Sequence, residues 1–445
     1  MFRLRLSLAG VVAVAIFFAV ASPAHADFPL KDGDIWVMAG DSITAQHLHS
    51  NYFEAFCYAR YPKLKFGFRN SGVGGHTIPS TLARFDYDIA AWRPTVVSVE
   101  LGMNDQGGTP TDKFVANMDT MVQRIRSIKA RPVILSASPI NNGNMLATLS
   151  GTGGNKRLHE YADALKEFSA KQEIPYADQF HALLDVWGRN KKYEGIGSVK
   201  QLAAIDDLAG VEHLRAFLAV QAKNPILSVP MQGDAVHPGA PGQLMMAAAL
   251  LKELGADPFV SSVNINAVSQ GVEAKGCSVS AIAFGGDGRI AFHRLDERLP
   301  FPIPEEARAV VAFDPTILAM SQYTLKVTGL TAAKYDLSIN GSSLGTISSK
   351  DLESGINLTA FGPSAAAEKP NPIAAQSKAI LSAVSARAGL VGQWRGMSKS
   401  AHAPGAPAEA MTKLAAMTRQ VEEGDDRIRA AAVPQKMRFE LTRVP

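Results

Sequence analysis

Cysteine is nearly absent. Cys57 and Cys277 are the only two in 445 residues, too few for a disulfide-stapled scaffold. No cluster of cysteine and histidine has zinc-ligand spacing, so the sequence calls for no metal and no cofactor. Cys57 lies in an aromatic, helix-like stretch (Tyr52, Phe53, Phe56, Tyr58), where a buried thiol is expected. Export would permit a bond between the two cysteines, and the sequence leaves that open. A dominant charge is missing too. The 45 basic residues, less Arg3 and Arg5 of the N-terminus, leave 43 against 41 acidic ones. With no basic block to grip phosphates, nucleic acid is not an expected partner. Aromatic residues are only 7% of the chain, and residues 258–360 show no obvious row of them on which sugars would stack. There is no internal repeat, and no long apolar run lies beyond the N-terminus.

The N-terminus itself has the design of a secretory signal. Arg3 and Arg5 precede an apolar run over 6–21, and Ala24-His25-Ala26 supplies small residues for cleavage after Ala26. The run is shorter than the ~20 residues a membrane span needs. No cysteine follows it to carry a lipid. The expected product is secreted or periplasmic, with no stable membrane insertion.

From there strand and helix signals alternate. Strands are expected at 35–39, 65–68, 95–101, 132–137 and 174–177, and helices at 51–61, 77–92, 111–130 and 156–172. Such alternation implies a parallel sheet with helices on both faces. Residues 182–233 break the pattern and read as an insertion near a site mouth. A strong helix follows at 240–255. After 257 short alternating runs dominate, with an Asn340-Gly341 hairpin signal and a Pro-rich link at 299–304. The last part turns Ala-rich and helical, with a loop at 401–407. The expected organisation is a signal at 1–26, an α/β domain at 27–257, a smaller β-rich domain at 258–360 and a mostly helical segment at 361–445.

Four segments carry chemistry. Gly40-Asp41-Ser42-Ile43-Thr44 follows the first strand, at the carboxyl edge where α/β proteins bind ligands. Asn70-Ser71-Gly72-Val73-Gly74-Gly75 and Gly102-Met103-Asn104-Asp105 follow the second and third strands. Asp234-Ala235-Val236-His237-Pro238 precedes the late helix. Ser42 is the candidate nucleophile, His237 its base, and Asp234 the carboxylate three residues away that would orient the imidazole. Pro238 keeps His237 out of helical geometry. Asp41 or Ser42 acting only as a helix cap is the plainer alternative for the first segment.

In this order the four segments resemble the SGNH (GDSL) family of serine esterases and lipases, over roughly residues 32–255. The resemblance implies a three-layer α/β/α sandwich with a flavodoxin-like parallel sheet. It implies an oxyanion hole formed by the Ser42 N–H, the Gly75 N–H and the Asn104 amide, with Gly74 in reserve if the loop is offset by one. Asp105 is expected to brace its loop. His76 is a candidate lining residue; His47 and His49, just beyond the nucleophile, could shape the pocket, but a helix-surface position is expected of them. His159, His181, His213, His293 and His402 have no recognisable partner. Gly341-Ser342-Ser343-Leu344-Gly345 matches the G-x-S-x-G nucleophile pattern, but its flanks read as a hairpin rather than strand–turn–helix. Family members act on acetylated sugars, lysophospholipids, thioesters and aryl esters. Carbohydrate deacetylation is favoured, on a small-molecule or polysaccharide ester. A lysophospholipase or thioesterase, or a carbohydrate-binding module carried on an esterase fold, is the alternative.

Overall fold

The computed structural model describes residues 28–140, 153–183, 236–312, 314–362 and 370–444. The expected signal, Asp234 and the expected insertion beyond Leu183 lie outside these residues. Five parallel strands form the first sheet: β1 (Asp34–Gly40), β2 (Phe66–Gly72), β3 (Val96–Glu100), β4 (Arg131–Leu135) and β5 (Tyr176–Ala177). Their order is β2-β1-β3-β4-β5, the flavodoxin-like arrangement, whose switch point lies between β1 and β3. Register decides what meets there. Gly40 pairs with both Gly72 and Glu100, so three loops leave the sheet from one line.

The helices follow from the apolar spacing. They are α1 (Ser42–Ala45), α2 (His49–Arg60), α3 (Ile78–Leu82), α4 (Phe85–Asp88), α5 (Thr111–Ser127), α6 (Gly153–Lys171) and α7 (Ala240–Glu253). On α5 the residues Phe114, Met118, Met121, Val122 and Ile125 form its buried stripe. The single helix expected over 77–92 is instead α3, α4 and a 3₁₀ turn at Ala90–Trp92. Arg84 breaks it: its side chain turns inward to Ser71 and Asp88. Arg93, with φ of 52°, ends the run before Pro94.

The second part holds two further sheets. One runs β13 (Ile356–Asn357), β10 (Gln322–Thr328), β6 (Phe259–Asn266), β7 (Gly271–Lys275). The other runs β12 (Ser342–Ser348), β11 (Lys334–Ile339), β14 (Met437–Arg443), β9 (Ile290–Asp296), β8 (Cys277–Phe284). The Pro-rich segment expected as a link is buried: Leu299, Phe301 and Ile303 enter the first core, and Phe301 meets Phe56 edge-on at 5.2 Å. Helices α8 (Pro372–Ala401) and α9 (Glu409–Ala431) pack on β2 and each other, and α8 also meets α2. The chain then returns, and β14 enters the middle of the second part. Cys57 and Cys277 are both free thiols, the first fully buried.

Candidate active site

Ser42 opens α1 directly beyond the end of β1. Asp41 caps that helix, its Oδ1 accepting from the Ile43 N–H at 2.9 Å. The turn between strand and helix is tight enough to require glycines. A Cβ on Gly40 would lie 2.0 Å from Thr44 Oγ1, and one on Gly72 would lie 2.4 Å from the Ala45 N. Asn70 fastens the same corner: its amide donates to the Thr44 carbonyl at 2.7 Å and to Ser50 Oγ at 2.9 Å. The Ser42 N–H belongs to the first turn of the helix, where N–H groups have no intrahelical acceptor.

His237, from the segment before α7, brings Nε2 to 2.7 Å from Ser42 Oγ, across 195 residues of sequence. A hydroxyl and an imidazole at that distance can exchange a proton. The glycine loop lies beside them. A Cβ on Gly74 would stand 3.9 Å from Ser42 Cβ, whereas one on Gly75 would meet nothing within 4 Å. Gly75 takes φ of +75°, a conformation that favours glycine. Asn104 reaches the same loop, its Nδ2 donating to the His76 carbonyl at 3.1 Å. Asp105 is buried beneath, accepting from the Ile78 N–H at 3.3 Å, and burial pushes its carboxyl up to about 6. His76 Nδ1 accepts from Arg84 Nε at 3.2 Å. Burial, then the Arg84 charge, lower the ring's pKa.

Beneath Ser42 is a buried network that the sequence does not announce. His49 is not on a helix surface; it is 3% exposed. Its Nε2 pairs with Glu100 Oε2 at 2.9 Å and its Nδ1 lies 3.1 Å from Gln243 Oε1. That same Gln243 oxygen accepts from the His49 backbone N–H at 3.0 Å, so the amide orientation is set and both ring nitrogens face acceptors. Two facing acceptors favour the protonated form of the ring. Burial works against its charge, but the Glu100 carboxylate and Gln243 outweigh that and raise its pKa. Gln243 Nε2 in turn donates to the Pro238 carbonyl at 2.9 Å. A chain of contacts thus runs from the end of β3 through α2 and α7 to the residue after His237. The available signal was Gln243 itself, the one polar side chain in the first twelve residues of α7.

Ser343 stands in the β11–β12 hairpin, its Oγ donating to Asp336 Oδ1 at 2.6 Å. It is a paired strand residue just past a hairpin turn, which is not a nucleophile elbow.

Residues 38–245 match the GDSL-like lipase/acylhydrolase family model. Over 204 residues the chain is 24% identical to an acetylxylan esterase of Geobacillus stearothermophilus, covering 46% of this chain and 79% of that protein. Over 138 residues it is 23% identical to the uncharacterized lipoprotein YqeF of Bacillus subtilis, covering 27% and 57%. A solved structure titled as a gut microbial diltiazem-metabolizing enzyme superposes on 94% of this chain and all of that one. Its TM-score is 0.68 at 21% identity, so the sheets and helices beyond residue 245 belong to a shared fold.

Proposed function

This chain belongs, through residues 38–245, to the SGNH (GDSL) family of carboxylic ester hydrolases, and from that premise we propose that it deacetylates carbohydrate through an acyl-serine intermediate. The observation that carries the reading is the 2.7 Å approach of His237 Nε2 to Ser42 Oγ. Ser42 attacks the ester carbonyl as His237 takes its proton. Asp234, three residues upstream on the same segment, orients the imidazole and balances its charge. The Ser42 N–H, the Gly75 N–H and the Asn104 amide receive the developing oxyanion. Collapse expels the sugar hydroxyl, protonated by His237, and water then cleaves the acetyl-serine by the same route. Nucleophile, base and donors are all protein groups, so this chemistry calls for no metal at Ser42. The likeness to an acetylxylan esterase supports acetate as the acyl group. The leader-like residues 1–26 support export.

Turnover of p-nitrophenyl acetate against esters of eight carbons or more, together with release of acetate from acetylated xylan, tests the substrate. Preference for acetate supports deacetylation; preference for long chains moves the reading to a lipid or thioester acyl hydrolase. Ser42→Ala is expected to be inactive and Ser343→Ala fully active. Asn104→Ala is expected to fold and lose about 10²–10³ in kcat. Full activity in Ser42→Ala would refute the nucleophile assignment.

A further inference from the structure

Away from Ser42, among the described residues, three side chains able to ligate a metal form one cluster: His159, Asp163 and His181. His159 and Asp163 stand one turn apart on α6, and His181 follows β5. The sequence offers no hint of this, because 22 residues separate the histidines. His159 Nδ1 faces His181 Nε2 at 2.8 Å. The Asp163 carboxylate lies 3.6 Å from His159 Nε2 and 3.9 Å from His181 Nε2. One ligand atom from each residue can be taken so that all lie within 4.8 Å of one another.

A fourth residue makes this more than a meeting of rings. Asp178 Oδ2 accepts from His181 Nδ1 at 2.7 Å, while its Oδ1 accepts from the His181 backbone N–H at 3.0 Å. A carboxylate fixed on Nδ1 sets the tautomer and turns the Nε2 lone pair toward His159 and Asp163. That is the outer-shell arrangement that orients histidine ligands. Asp178 and His181 also border a cleft of ≈ 490 Å³.

We propose that His159, Asp163 and His181 bind a divalent first-row transition-metal ion of the Zn²⁺ type, with Asp178 as the orienting carboxylate. Two imidazoles and one carboxylate are borderline donors that suit zinc, and three protein ligands leave a fourth position for water. Zn–N bonds of about 2.0–2.1 Å would set the two nitrogens about 3.3 Å apart, so the rings must part by about 0.5 Å. Both side chains are roughly one-third exposed, at 36% and 35%, which leaves them room to turn. The ion would tie α6 to the segment after β5, and it is independent of the ester chemistry at Ser42.

The test uses the full chain, free of any affinity tag, stripped with a chelator and titrated with Zn²⁺ against a chromophoric chelator. One equivalent is expected to bind with a Kd of about 10 μM or tighter. His159→Ala and His181→Ala should each weaken binding at least about 100-fold, and Asp178→Asn about 10–100-fold. Co²⁺ should give visible ligand-field bands that disappear in His181→Ala. Far-UV circular dichroism of the stripped variants shows that they fold. Two results overturn the proposal. One is a wild-type protein that takes up no Zn²⁺ at 100-fold the expected Kd, which leaves only an N–H···N bond between the rings. The other is undiminished affinity in both histidine variants, which puts the ion elsewhere.

Discussion

Asp41 serves two ends that conflict. As a cap it accepts the Ile43 N–H, yet it is 3% exposed and faces Glu100. Burial first, then the Glu100 charge, raise its carboxyl pKa from 3.8 to about 7. The unfolded chain releases this proton near 3.8 and the folded chain only near 7. The contribution to stability is therefore whole below the lower value, falls as pH rises across that window, and is lost above it. Such a shift corresponds to a few kcal/mol, on the order of 1.4 per unit. Asp41→Asn keeps the cap and removes the titration. Between about pH 4 and 7 the thermal midpoint of the wild type should drop relative to that of the variant. Parallel profiles would assign the slope to other groups. His49 teaches the complementary lesson. Its neighbours Gln46, Ser50 and Asn51 are polar, so local composition suggests solvent, while the Glu100 carboxylate at the end of β3 takes it inside.

At the scale of elements, the site depends on how closely α1, β2 and α7 approach. Gly40 and Gly72 allow α1 to fold back onto the strand ends, and Gln243 ties α7 to α2 and to the carbonyl beside His237. Gln243 is fully buried. Gln243→Leu would leave the His49 N–H and the Pro238 carbonyl without that partner, at a cost of about 1–3 kcal/mol. A positioning role predicts more than a lower thermal midpoint. The kcat should fall about tenfold with KM nearly constant, because the imidazole is misplaced while the substrate is still bound. A variant that loses stability and keeps wild-type kcat would reduce Gln243 to packing alone.

For the whole molecule, the C-terminal helices complete the first core instead of hanging from it. Arg69 on β2 pairs with Asp425 of α9 at 2.7 Å, and Arg387 of α8 pairs with Glu54 of α2. All four are nearly inaccessible. Arg395 of α8 donates to the Gly72 carbonyl at 2.9 Å, at the start of the glycine loop, and pairs with Asp88 at 2.6 Å. Removing one partner of a buried pair costs about 3–5 kcal/mol, since the other charge stays buried and unpaired. Ending the chain at Gly362 removes several such partners, and also β14 from between β9 and β11. That truncation is expected to yield no soluble, cooperatively unfolding protein, as read by size-exclusion chromatography and thermal melts. A monodisperse fragment with full esterase turnover would show that the chain up to Gly362 folds without the C-terminal helices and β14.

The sequence by itself determined the parallel sheet, the loops that carry Ser42, the glycines and Asn104, and the hairpin that disqualifies Ser343. Those features are local: apolar period, turn chemistry and order along the chain suffice to read them. Tertiary structure alone decided the rest. The burial of Leu299, Phe301 and Ile303, the burial of His49 against Glu100, the pairing of His159 with His181 and the return of β14 all depend on residues tens to hundreds of positions apart. Their partners are chosen by shape and by the need to satisfy buried polar groups, and neither is written in the neighbouring residues.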